Sequence, residues 1–104
     1  MTKRSNFLDH KFEAFVKNTT QHVAFTGTSA QSAAFGDATE MIYVFVTQDA
    51  FCQIGSNPTA TTSAPSSPLF AGIWHDFQVR PGQKIAIIRS VASGTAYIEE
   101  GLVE

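Results

Sequence analysis

Between residues 6 and 17 the apolar side chains recur with the period of a helix. Leu8, Phe12, Phe15 and Val16 stand at i, i+4, i+7 and i+8, which places them on one face. Asn6 is positioned to cap that helix, and Asp9 falls in its first turn near the positive end of the dipole. A lone helix this short is marginal in water. It is expected either to pack on the rest of the chain, covering one open end, or to serve as an arm that orders on a partner.

From residue 20 onward the pattern changes to short apolar runs broken by turn residues. Residues 22–25 read as a short strand, 30–35 as a weaker, alanine-rich one, and 41–47 as the strongest strand in the chain. That last run is apolar on both faces, as expected of a central strand. It is flanked by Glu40 and Asp49, which guard a run that is an aggregation hazard when exposed. Further strands are expected over 51–54, 69–71, 73–79, 84–91 and 95–99. Residues 56–68 hold three of the four prolines and read as a long exposed loop. Pro81-Gly82 suits the centre of a type II turn. Short strands at this spacing predict a mainly β fold, an antiparallel β-sandwich or barrel of jelly-roll-like form, with a short N-terminal helix or arm. The expected division is an arm over residues 1–18 and one β domain over 19–104.

Length and charge narrow the function. At 104 residues there is room for one domain. Charged residues make up 15% of the chain, below the usual ~25%, so the surface is expected to be polar but uncharged. Lys3, Arg4, Lys11 and Lys17 are followed by no basic residue until Arg80, and the net charge is −2. No basic stripe is present to displace counterions from phosphates, so nucleic acid is not an expected partner. Asp9, His10, Lys11 and Glu13 interrupt the start of the chain, which argues against a signal peptide. No apolar run approaches bilayer length, so no membrane is expected and synthesis is assigned to a cytoplasm.

Candidate chemistry is thin. His75-Asp76 is an adjacent base–acid pair, and in a strand such neighbours point to opposite faces. Glu99-Glu100 fails as a carboxylate pair for the same reason and reads as a solvated strand end. His10, His22, His75 and Cys52 lack metal-ligand spacing, so neither metal nor cofactor is expected. Cys52 stands alone and reads as a small buried hydrophobe. These observations point to a binding protein and not to an enzyme.

The informative residue is phenylalanine, with nine in the chain. Phe25, Phe35, Phe45, Phe51, Phe70 and Phe77 are enough to fill a small core. Phe7, Leu8, Phe12, Phe15 and Val16 are then surplus apolar surface and are expected to form a partner interface. Trp74, Tyr43 and Tyr97 are expected in the core or at a protein contact. An exposed, stacked Trp74 and Tyr97 would instead favour carbohydrate binding.

Residues 43–61 run Tyr-Val-Phe-Val-Thr-Gln-Asp-Ala-Phe-Cys-Gln-Ile-Gly-Ser-Asn-Pro-Thr-Ala-Thr. They resemble a pattern in small tailed-bacteriophage head proteins: a strand into Cys-x-Ile, then Gly-x-Asn-Pro-Thr-Ala and a Ser/Thr-rich loop. The likeness continues through residues 77–88 and 93–100 and covers about three-fifths of the chain. It implies a virion structural protein on the capsid surface, a decoration (cement) protein that binds the major capsid protein as a homo-oligomer, a trimer in many members of this class. A head–tail connector, a head-fibre component and a carbohydrate-binding β module are the alternatives.

Overall fold

The computed structural model describes residues 15–103. They form eight strands: β1 Phe15–Phe25, β2 Ala30–Gln31, β3 Met41–Val46, β4 Ala50–Gly55, β5 Ser67–Leu69, β6 Trp74–Gln78, β7 Lys84–Arg89 and β8 Gly94–Val103. Two antiparallel sheets result, in the orders β1-β8-β3-β6 and β2-β7-β4-β5. Apart from the β4–β5 connection, every connection crosses from one sheet to the other, and the strand order is that of an eight-stranded jelly roll. The expected antiparallel sandwich is the fold.

The side-chain alternation of each strand builds the core between the sheets. Val23 and Phe25 of β1, Ile42, Val44 and Val46 of β3, and Ala96 and Ile98 of β8 face inward from the first sheet. Ala50 and Cys52 of β4, Leu69 of β5, and Ile85 and Ile87 of β7 oppose them from the second. β3 is apolar on both faces because it lies between β8 and β6. Gly94 opens β8 where a Cβ would stand 2.6 Å from Thr47 Oγ1 and 2.9 Å from Phe25 Cζ. Only a residue without a side chain fits there.

The N-terminal helix expected over residues 6–17 is corrected where it can be seen. Phe15, Val16 and Lys17 are strand, paired with Val103, Leu102 and Gly101 of β8. The end of β8 carries a row of backbone donors and acceptors that need partners. The continuation Val16-Lys17-Asn18-Thr19-Thr20 offers weak helix formers, so the ladder prevails over the local period. The junction expected near Asn18 falls inside β1, at a register shift between Lys17 and Thr19. Residues 6–14, with Phe7, Leu8 and Phe12, lie outside the described residues.

The connections gather at two poles. Residues 26–29, 47–49, 70–73 and 90–93 share one pole; 32–40, 56–66 and 79–83 leave from the other. At the second pole Arg80-Pro81-Gly82-Gln83 forms the expected turn, with Gln83 N–H donating to Arg80 O and Gly82 at φ +85°.

Glu100 closes this second pole, and the expectation of a solvated strand end is wrong for it. It faces inward with 1% of its surface exposed. Its Oε1 accepts from Gly36 N–H at 3.0 Å and from Thr39 Oγ1 at 2.9 Å, and its Oε2 accepts from Gln21 Nε2 at 2.6 Å. Gln21 in turn accepts from Ala33 N–H and donates to Ala33 O. One carboxylate thereby ties β8, β1 and the 32–40 crossover together.

Residues 56–66 are mostly exposed, as expected of their prolines and threonines, but are pinned to the body near Pro58 and Ala60. Gln31 Nε2 donates to Asn57 Oδ1 and to Pro58 O, and Ala60 N–H donates to Ser29 Oγ. Pro58 and Ala60 are buried. Ala86, outward-facing at the middle of β7, is also fully buried. Residues 57–60 are held beside β2 by those hydrogen bonds, while 61–65 stand exposed on the way to β5.

Thr39→Val is nearly isosteric and removes one donor from the Glu100 carboxylate. The expected loss is about 1.5–3 kcal/mol, the range for a hydrogen bond to a charged group. Urea unfolding reads it as a lower midpoint at unchanged slope. A loss below about 0.5 kcal/mol, the size of an ordinary surface change, would show that the carboxylate does not need this donor.

Candidate functional site

The groups considered for catalysis are separated by the sheet. His75 pairs with Val44 on the inner side of the first sheet, and Asp76 pairs with Tyr43 on the outer side. His75 Nε2 lies 3.0 Å from Phe70 N and accepts its N–H, so the ring braces a turn. Glu99 and Glu100 likewise face opposite ways. Among the described residues no group of three His, Cys, Asp or Glu side chains is arranged to hold a metal ion.

Two surface features remain, and both come from aromatic and aliphatic residues. The first is the connection between β5 and β6. Leu69 is fully buried and anchors it, and the chain then turns through Phe70-Ala71-Gly72-Ile73 before Trp74 begins β6. Gly72 sits at φ +84°, a conformation open to glycine and strained for other residues. Ala71 N–H donates to Asp49 Oδ1 and Gly72 N–H to Val46 O. With Phe70 N–H held by His75, three successive amides of the turn are fixed. Phe70 is 55%, Ile73 52% and Trp74 49% exposed. Val91 in the β7–β8 connection is 85% exposed and belongs to the same pole, where Ser90 N–H donates to Asp49 O. Every exposed large apolar side chain of the described residues therefore lies at or beside one pole.

Phe70 was expected in the core. Strand β5 ends one residue before it, at the inward-facing Leu69, so the next side chain turns out to solvent.

The second feature is a row across the outer face of the first sheet. His22, Tyr97, Phe45 and Trp74 stand in register on β1, β8, β3 and β6. Ring centroids are 4.7 Å apart for His22–Tyr97, 6.4 Å for Phe45–Tyr97 and 5.3 Å for Phe45–Trp74. Each strand contributes one member, so nothing local in the sequence announces the row. Only the pairing register assembles it.

Of the expected interface residues, Phe15 and Val16 lie in β1 at the pole opposite the apolar turn. Phe7, Leu8 and Phe12 fall outside the described residues.

Cys52 is buried between the sheets, and desolvation of the thiolate pushes its thiol up to about 12 from an ordinary 9.0. It is expected to resist thiol reagents until the protein unfolds. Between those two values the unfolded thiol ionises while the folded one keeps its proton, so the unfolded state binds fewer protons and stability falls as pH rises. The expected slope is up to about 1.4 kcal/mol per pH unit. Denaturant unfolding should show it as a stability advantage of the wild type over Cys52→Ala that shrinks across this window. A pH-independent difference would contradict the assignment.

Comparison of the chain with protein-family models, with curated proteins and with solved structures finds no match.

Proposed function

We propose that the protein is a non-catalytic structural component of a tailed-phage head, a decoration protein that docks on the major capsid protein lattice through the apolar pole. The observation that carries the docking surface is the gathering of Phe70, Ile73 and Val91, with Trp74 beside them, at one pole. Exposed apolar side chains gathered at one end of a domain mark contact sites. The turn that presents it is already fixed by Asp49, Val46 and His75, so little conformational freedom is lost on binding. The class of partner rests on the resemblance of residues 43–61, 77–88 and 93–100 to small head proteins.

The same resemblance supports a trimer on the particle and a place on the virion surface. A cement protein binds the assembled lattice and not its free subunits, so mass action displaces the equilibrium toward the shell. Phe7, Leu8 and Phe12 supply a second apolar contact in this reading. A surface low in charge keeps the rest of the molecule from competing with those contacts.

The test is co-sedimentation with heads that lack the protein. Wild-type chain is expected to bind to a fixed number of sites. Burying the exposed half of Phe70 and of Ile73 contributes about 1 kcal/mol each, so Phe70→Asp with Ile73→Asp should weaken binding by at least about twenty-fold. Circular dichroism should remain that of the wild type, because both side chains point to solvent. Full occupancy by the double variant, or failure of the wild type to bind any head, would remove this reading.

A further inference from the structure

The outer faces of the two sheets are unlike each other. Beside that of the second sheet, residues 57–60 are tied to Gln31 and Ser29, with Pro58 and Ala60 buried. That of the first carries the row of His22, Tyr97, Phe45 and Trp74, at right angles to the strands. Four strands at the usual ~4.8 Å spacing make this row about 14 Å long. His22 is exposed, Tyr97 and Phe45 are half-buried, and Trp74 is 49% exposed.

The rows beside it are more polar. On one side stand Ala24 and Thr95, in register across β1 and β8. On the other stand Thr20, Glu99 and Asp76, in register across β1, β8, β3 and β6 with Tyr43 between them. No lysine or arginine belongs to these three rows.

An aromatic strip bordered by hydroxyls and carboxylates suits a ligand with apolar C–H faces and hydroxyl edges. Pyranose rings have that form: the C–H face stacks on an aromatic ring, and the equatorial hydroxyls reach the polar rows. Nucleic acid would also stack, but it requires cations along its backbone, and the charged groups beside this strip are acidic. The Glu99 carboxylate beside the strip disfavours uronic acids and other anionic sugars. The rings are also not coplanar. Phe45 is tilted 50° to Trp74 and 51° to Tyr97, and Tyr97 stands at 77° to His22. A twisted strip matches one chain whose sugar rings rotate along its length, and does not match a flat crystalline surface.

We propose that this face binds a single chain of a neutral polysaccharide, laid across the strands with its sugar rings stacked on Trp74, Phe45 and Tyr97. Trp74 borders both this strip and the apolar pole, whereas Phe70, Ile73 and Val91 lie outside the strip.

Trp74 is the chain's one tryptophan, so its fluorescence reports directly on the strip. The protein is titrated with cellohexaose, chitohexaose, maltohexaose and mannohexaose, and with polygalacturonate as the anionic counterpart. A saturable change in emission is expected with at least one neutral hexasaccharide and none with polygalacturonate. His22→Ala, at an exposed position that does not endanger the fold, should weaken it several-fold, and Tyr97→Ala at least ten-fold. Trp74→Ala should lose retention on the matching immobilised glycan. Phe70→Asp with Ile73→Asp should leave sugar binding in place even if it abolishes docking on heads. No response to any neutral glycan overturns the proposal, as does binding that survives both His22→Ala and Tyr97→Ala, or a preference for polygalacturonate or for an apolar peptide.

Discussion

A carboxylate shut away from water must be surrounded by donors, and that requirement at Glu100 governs how this sandwich closes. Among the described residues no cation is seen against it. Gln21, Thr39 and the Gly36 amide share the task, and each comes from a different stretch of chain. Removing one partner leaves charge buried with too few hydrogen bonds, which costs more than the bond itself contributes. The crossover from β2 to β3 must therefore follow one path. Thr39 and Gly36 have to reach Glu100, Ser32 and Phe35 then bond β7 and its turn, and Glu40 N–H meets Gly101 O to start β3 in register. With one pole closed by a polar knot, the apolar surface of the connections is concentrated at the other.

The same division of labour separates the two outer faces. The chain has few charges with which to solvate a broad β surface. On the second sheet its own proline- and threonine-rich segment is held beside β2 by Gln31 and Ser29. On the first sheet it leaves a strip of rings bordered by threonines and carboxylates. Both β3 and β8 are central strands, so the outward Phe45 and Tyr97 are supported on each side by a neighbour, and the strip is as rigid as the sheet below it.

Much of this architecture was legible in the sequence. The run Met41-Ile42-Tyr43-Val44-Phe45-Val46 announced a central strand because apolar residues on both faces leave few other possibilities, and Pro81-Gly82 announced its turn because each residue fixes one dihedral. The legible features are local ones. Phe15 and Val16 satisfied a helical period and were nevertheless drawn into β1, because their partners lie nearly ninety residues away at Leu102 and Val103. Glu100 looked like half of a solvated acidic pair, since its donors at residues 21, 36 and 39 are remote in sequence. Phe70 resembled a core residue, and a strand end one position earlier sent it outward. The aromatic row was invisible for the same reason: its four members are distributed over four strands, and register alone unites them.

Three of the four outermost strands also bear on what the molecule does in a crowded assembly. β2 has two residues and β5 three, with Pro68 among them. Neither offers a length of free ladder that another chain could extend, and proline cannot donate to one. β1 is different, with eleven residues along the margin of its sheet. Its register shift between Lys17 and Thr19 breaks that margin into two shorter stretches and adds local twist. At these three margins strand-by-strand growth into a fibre is discouraged, so closed side-chain contacts are favoured over open-ended ladders when molecules crowd together.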